Sequence, residues 1–435
     1  MKFGIRKLAD LDSSERAAIT HRSEAIVDEL LSGVKDIVDE VKEKGDAALI
    51  DCTARFDGVD LRAKGLRVTE EEFTAAERAL EKEVRDAVSR AVSNVTRFHE
   101  LQLPAGMHMC EVSPGIIAGE RARPIPSAGL YVPSGKGSFP SMLYMLAVPA
   151  HIAGVPRICV VTPPNKDGSV DPACLYAAKL CGVDEVYRIG GAQAIAALAW
   201  GTETVPRVDK IVGPGSPYVA AAKRILGGTV DTGLPAGPSE SIIIADASAD
   251  PWKVALDLLI EAEHGPDSAA LVVTDSAELA ESVYKAVSEL IADLPEPRRG
   301  YVETVLSNFG GILLTGSIPE ACDFVNEYAP EHLQLQTNDP WETLAGIQNA
   351  GEILLGEHTP FSMANYAAGP NAVLPTGGKA RAWSPVSVRD FIKYSSVIYT
   401  TEAGLEDITP TVTCLANYEG FPAHAGALAR RKERL

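Results

Sequence analysis

Apolar residues recur along 23–50 at helical spacing, as Ile26, Val27, Leu30, Leu31, Val34, Ile37, Val38 and Val41, with charged residues between them. A stripe of this kind faces a core while the opposite side meets water, so the pattern predicts an amphipathic helix. A second long helix is predicted from Thr69, which forms a capping-box spacing with Glu72, through Phe73, Leu80, Val84, Val88 and Val92 towards Phe98. From Gly129 the texture changes. Short β-rich runs (GLYV, RICVVT, EVYRIGG, KIVG, SIIIAD, ALVVT, GILLT and EILLG) alternate with helical stretches. That alternation predicts parallel sheets covered by helices on both faces. The runs fall in two blocks, 130–230 and 242–355, which predicts two α/β units of similar build. The last 50 residues differ, with PVSVRDFIKYSSVIYTTEAG followed by a helical, basic end, and are expected to form a tail that packs on something else, such as a second subunit.

Length and charge narrow the class. At 435 residues the chain exceeds the size at which one core stops growing, in line with more than one domain. The formal net charge is −19, and the one basic cluster is Arg430, Arg431, Lys432 and Arg434. Neither nucleic acid nor an anionic membrane is therefore an expected partner. Seven cysteines, an odd number with no CxxC, suit reduced thiols in a cytoplasmic protein. No apolar run is long enough to span a bilayer, and MKFGIRKLADLDSSER has no uninterrupted apolar stretch.

The candidate chemistry centres on 230–264, where a glycine- and proline-rich turn leads into the strand Ile242, Ile243, Ile244 and then a helix. Asp250 as N-cap and Pro251 at the first helical position predict a helix from Pro251 to His264. Glu261 and His264, three apart, then share a face at the helix end and offer one oxygen and one imidazole nitrogen to a divalent metal. A surface carboxylate beside a half-buried histidine has the same spacing. Glu331-His332 lies between Tyr328-Ala329-Pro330 and a strand-like LQLQT, a loop-to-strand junction suited to an acid/base pair, although a lone solvated Glu-His reads the same way. The dipeptide recurs at Glu263-His264 and Glu357-His358, and no HExxH is present.

Standard nucleotide fingerprints fail. Gly135-Lys136-Gly137-Ser138-Phe139-Pro140 has proline in the third glycine position, and no GxxxxGK[ST] exists. Gly190-Gly191-Ala192-Gln193 and Gly213-Pro214-Gly215-Ser216 each follow a strand, where α/β sheets usually bind ligands, although ordinary tight turns read the same way. The segment from Ser362 to Thr376 and the tail segment Glu419-Gly420-Phe421-Pro422-Ala423-His424 complete the candidates, although each taken alone reads as an ordinary polar loop or a solvated tail.

Together these blocks resemble the histidinol dehydrogenase family along essentially the whole chain. The carriers are GLYVP from Gly129, GGAQAIAALAWGT from Gly190, VDKIVGPG from Val208, AGPSE from Ala236, DLLIEAEH from Asp257, YAPEHLQ from Tyr328, NAVLPT from Asn371 and EGFPAH from Glu419. The resemblance implies an α/β protein with two Rossmann-like parallel-sheet domains and small N- and C-terminal extensions, the latter exchanged in a homodimer. The expected boundaries are 1–25 for the N-terminal extension, 26–130 with 239–385 for the domain carrying metal and catalytic residues, 131–238 for the NAD-binding domain, and 386–435 for the tail.

The resemblance further implies a zinc-dependent, NAD-linked dehydrogenase that oxidises a small amino alcohol through the aldehyde to the acid. The metal ligands would fall on Glu261, His264, Asn365 and His424. His332 would take the alcohol proton and Glu331 would activate water. Tyr131, Gln193 and Ser216 match positions that contact NAD, and Ser239, His332 and Glu419 match positions that touch substrate along with the metal set.

Four positions depart from the family pattern. Glu261 stands where the family has Gln, Asn365 where it has Asp, Ser216 where it has Asn, and Ala372 where NHVLPT has His. The first two exchange a carboxylate and a carboxamide, so formal charge around the metal is unchanged, although a neutral amide is the weaker ligand. The loss of an imidazole at Ala372 makes the pocket larger and less polar. A relative acting on another amino alcohol or a polar diol, and a catalytically silent metabolite-binding protein, are the competing readings.

Overall fold

The structure is a computed structural model that describes residues 4–20, 25–134, 137–308 and 310–431. Gly135 and Lys136 of the broken glycine fingerprint, and Lys432 and Arg434 of the basic end, lie outside the described residues. The chain divides into two units, Met1–Gln102 with Ile125–Phe391, and Leu103–Pro124 with Ile392–Leu435.

The first unit holds two parallel sheets, as the alternating pattern predicts. The larger has six strands in the order Ile5–Lys7, Gly311–Leu314, Ala269–Thr274, Glu240–Ala245, His332–Gln336, Glu352–Leu355. The smaller has four, in the order Glu185–Tyr187, Arg157–Val161, Ser127–Tyr131, Lys210–Val212. Every neighbouring pair in both sheets is parallel. Strands Glu240–Ala245 and Ala269–Thr274 are buried at every position, because helices cover both faces and no side chain can point to water.

Both predicted N-terminal helices are broken in two. The first ends at Lys44 and a second runs over Asp46–Phe56. Between them Gly45 adopts φ 57°, and a Cβ there would lie 2.3 Å from Glu203 Oε2, so glycine permits both the turn and the close approach. The second prediction becomes Glu70–Ala79 and Lys82–Glu100, separated by extended backbone at Leu80 and Glu81. The Thr69–Glu72 capping box is formed.

Two expected boundaries are corrected. Val34, Val38, Val41 and Leu49, expected with the metal-bearing domain, share one core with Ile195, Leu198, Val219 and Leu226 of the four-stranded half. The apolar stripe of the first helix is spent on helices Gly191–Trp200 and Pro217–Leu226. The tail also begins later than expected, since Val386, Val388 and Phe391 are buried in the first unit. Its strand Ile392–Thr400 pairs antiparallel with Ile116–Pro124, which pairs with Met107–Ser113. The second unit is therefore built from two distant stretches of chain. Among the described residues no helix is long and apolar enough to cross a membrane.

Candidate active site

In the six-stranded sheet the chain order reverses beside Glu240–Ala245, with Ala269–Thr274 on one side and His332–Gln336 on the other. His332 is in register with Ser241 on one neighbour and Glu352 on the other, so three strands begin at one common edge. Neighbouring strands lie about 4.8 Å apart, which brings their first side chains together. The helix Pro251–Ala262 carries the chain back from the far end of Glu240–Ala245, and its last turn returns to this amino edge. Asp250 caps it by accepting from Trp252 N, and Pro251 occupies the first turn. The helix ends at Ala262, so His264 stands two residues past its end, with its side chain 44% exposed, while Glu261 is fully buried.

Before His332 the helix Ile318–Tyr328 stops at Ala329, a buried residue in the left-handed region at φ 53°. A non-glycine residue there costs about 1–2 kcal/mol, and the turn delivers Glu331 and His332 to the strand edge. Glu331 Oε2 accepts from Glu240 N at 2.8 Å. Thr376 Oγ1 accepts from Gly237 N at 2.6 Å, and Glu240 Oε1 accepts from Gly377 N at 2.9 Å, so the AGPSE and NAVLPT blocks dock on each other.

The side chains converge. Asn365, in the short helix Phe361–Tyr366, donates its Nδ2 to Glu261 Oε1 at 2.7 Å. Ser239 Oγ and His264 Nδ1 are hydrogen-bonded at 2.9 Å, and His264 Nδ1 lies 3.4 Å from Glu261 Oε2. His332 Nε2 is 3.9 Å from both Glu261 Oε1 and Glu331 Oε1, and its Nδ1 is 3.0 Å from Glu352 Oε2. Phe361 packs against the imidazole with ring centroids 5.7 Å apart.

Glu261, Glu331 and His332 are buried, with each carboxylate 3.9 Å from the imidazole, so their charges act on each other strongly. Burial favours the neutral form of His332, but Glu261, Glu331 and Glu352 outweigh it and hold the imidazole up at about 10. Burial pushes the Glu331 carboxyl well above the usual carboxylate range; His332 opposes this and Glu261 adds to it. Burial also acts upward on Glu261, yet His332, His264 and the Asn365 amide together keep it below its ordinary value. A buried carboxylate, an imidazole that exchanges protons and a second carboxyl with raised proton affinity are the parts of a proton-transfer site.

The second set of candidates lies at the carboxyl ends of the four-stranded sheet, where its order also reverses, between Ser127–Tyr131 and Lys210–Val212. Tyr131 is buried, which pushes its phenol up to about 12, and its Oη accepts from Gly191 N at 3.1 Å. Gln193 is buried in the first turn of helix Gly191–Trp200. Ser216 precedes helix Pro217–Leu226 without using its hydroxyl as a cap. Gly213, at φ 128°, would place a Cβ 2.2 Å from Tyr131 O, so only glycine fits this turn. Neither helix start has a side-chain cap, leaving backbone N–H groups for an anion such as a pyrophosphate. Reading the chain alone missed Lys223, whose buried ammonium donates to Gly213 O at 2.6 Å and is pushed down to about 8 by desolvation.

The histidinol dehydrogenase family profile matches residues 20–432. A histidinol dehydrogenase of Synechocystis is 52% identical over 431 residues, covering 99% of each chain. A histidinol dehydrogenase homolog of Colwellia psychrerythraea is 47% identical over 99% of this chain and 97% of its own. The crystal structure of histidinol dehydrogenase from Elizabethkingia anophelis superposes with a TM-score of 0.93 at 35% identity, over 100% of this chain and 98% of that one.

The chain belongs to the histidinol dehydrogenase family. It is accordingly an NAD-dependent oxidoreductase acting on a CH–OH group. Of the positions that family resemblance singles out, the structure gathers Ser239, Glu261, His264, Glu331, His332 and Asn365 at one sheet edge. Tyr131, Gln193 and Ser216 lie at strand-to-helix turns of the other sheet. Glu419 and His424 belong to the second unit, Glu419 ending helix Glu402–Tyr418 and His424 lying in helix Pro422–Ala429. Glu352 was also missed by sequence reasoning, for want of the strand register that sets it beside His332. Its one sequence signal is a carboxylate opening an otherwise apolar EILLG strand.

Proposed function

We propose that the protein oxidises a small amino alcohol such as L-histidinol in two NAD-linked steps, with a zinc ion held near Glu261. The observation that carries this reading is the convergence of Glu261, His264, Asn365 and Ser239 on the Glu331-His332 pair.

The residues fit a divalent cation. Glu261 Oε2 is buried without a hydrogen-bond partner, and His264 is the nearest imidazole. Asn365 commits its Nδ2 to Glu261, so Oδ1 is the atom it would offer. Among the described residues no three His, Cys, Asp or Glu side chains are grouped to hold a metal. A set of one carboxylate, one imidazole and one carboxamide therefore needs a fourth donor, the role we assign to His424 from the tail of a second copy. Exposed Met107, Ile398, Tyr399, Tyr418 and Phe421 give the second unit apolar surface for such a dimer. Mixing His332→Asn with His424→Ala tests the exchange: each hybrid dimer regains one of its two sites, so the re-equilibrated mixture should regain about a quarter of wild-type activity, and no recovery would overturn it. When bound, zinc would polarise the alcohol and offset the carboxylate field that keeps His332 protonated.

His332 Nε2 would accept the hydroxyl proton, leaving the carbinol carbon to release the hydride that a bound nicotinamide takes, with the aldehyde as product. In the second step Glu331 takes a proton from water as it adds to the aldehyde. The resulting gem-diol would give up a hydride, the oxidation that a second NAD supplies when bound, together with one hydroxyl proton, leaving the acid. Raised proton affinity suits Glu331 to this work.

A second reading, another amino alcohol or a polar diol as substrate, is favoured by the Glu261/Asn365 exchange and by Ala372. The test is a panel of alcohols including L-histidinol, scored by NADH production with and without added zinc, on protein purified without chelator. Turnover of an amino alcohol with about one zinc per chain supports the proposal. Turnover of a non-amino diol alone selects the second reading, and a zinc-free protein inert to every alcohol overturns both.

A further inference from the structure

We infer that Glu352 is a positioning residue that sets the tautomer and aim of His332, an inference that rests on His332 being the proton acceptor. Glu352 opens the edge strand Glu352–Leu355 and pairs in register with His332 in a parallel ladder. Residues paired in this way project to the same face of the sheet. The carboxylate Oε2 sits 3.0 Å from His332 Nδ1, with the two side chains 8% and 3% exposed.

An ionised carboxylate only accepts, so the proton between the two groups belongs to Nδ1. A neutral imidazole held this way carries its lone pair on Nε2. That atom faces Glu261 Oε1 and Glu331 Oε1, each at 3.9 Å, and is the side from which an alcohol proton would arrive. Phe361, fully buried, packs edge-on against the ring with centroids 5.7 Å apart and fills one flank of the imidazole. With Nδ1 unpartnered or facing a donor, the ring would populate the tautomer with its proton on Nε2, which cannot accept.

The discriminating variants are Glu352→Gln and Glu352→Asp beside His332→Asn, each assayed with L-histidinol and with the alcohol turned over fastest by wild type. Glu352→Gln keeps the volume but can present its amide N–H to Nδ1. It should lower kcat about 10²–10³-fold with KM and melting temperature near wild type. Glu352→Asp, which keeps the acceptor on a shorter stem, should recover at least tenfold of that loss. Histidine ¹⁵N shifts of the folded protein without substrate, followed upward in pH until the ring is neutral, give an independent readout: the His332 signal, identified by its absence in His332→Asn, should then report Nδ1–H in wild type and Nε2–H in Glu352→Gln.

A Glu352→Gln enzyme with more than half of wild-type kcat, or with the His332 tautomer unchanged, overturns the inference. Should that variant not fold, a wild-type His332 tautomer bearing its proton on Nε2 overturns it equally. His332→Asn separates the two readings. If it keeps activity, the base assignment itself is wrong; if it is dead while Glu352→Gln is active, only the role of Glu352 fails.

Discussion

The four-stranded sheet gathers its candidate ligand residues at the carboxyl ends of its strands, and the six-stranded sheet at the amino ends. In the first, helices start at Gly191 and Pro217 beside Tyr131 and the Gly213 turn. In the second, a helix finishes at Ala262 with Glu261 in its last turn. A helix start carries partial positive charge and open N–H donors, whereas a helix end carries partial negative charge and open carbonyls. One end of an α/β unit therefore suits the phosphates of a dinucleotide, and the opposite end suits a metal ion or a protonated imidazole. Under the proposed function the protein would use both ends of one recurring unit, with the sign of the bound group following from the end that holds it.

Substitutions can break this division of labour. The largest effect is expected from His332→Asn, which should lower kcat about 10³–10⁴-fold while zinc content and NAD affinity stay intact. Near-normal turnover would remove the chemistry from the amino edge. Next in size, Glu331→Gln should spare the alcohol step and slow aldehyde oxidation by about 10²–10³-fold, so NADH formed per alcohol falls from two towards one. The same variant bears on pH. His332 must lose its proton to act, so kcat/KM for the alcohol should climb with rising pH, and Glu331 is one of the carboxylates that raise His332. Removing that charge should move the climb to lower pH; a shift upward would contradict the electrostatic account.

A smaller pair of effects sharpens the contrast. Glu261→Gln should weaken zinc about 10–100-fold in a chelator competition and leave the KM for NAD unchanged. Gly213→Ala, forced against Tyr131 O at φ 128°, should raise the KM for NAD about tenfold, near 1.4 kcal/mol, and leave zinc affinity unchanged. If each variant disturbs both affinities, the two ends are not separate sites.

Much of this was legible along the chain. Strand runs such as SIIIAD and RICVVT announce buried parallel strands because no polar alternation interrupts them, and Asp250-Pro251 announces a helix start through local hydrogen bonding alone. Glu261, His264 and Glu331-His332 were readable as candidates, since short spacing fixes what shares a face or a junction. Helix lengths were not, because Gly45 and the extended pair Leu80-Glu81 interrupt stripes that continue in period across the break.

What local pattern decided, then, is the α/β class, the strand runs and the residue types available for chemistry, all consequences of interactions between near neighbours. Tertiary structure alone decided that the N-terminal helices pack on the four-stranded sheet, because an apolar stripe does not name its partner. It also decided that Glu352 meets His332 across 20 residues of chain, because register between parallel strands depends on how the crossover between them closes. The meeting of Asn365 with Glu261, separated by 104 residues, has the same origin: long-range contacts follow from the burial of whole faces, which no single stretch of sequence encodes.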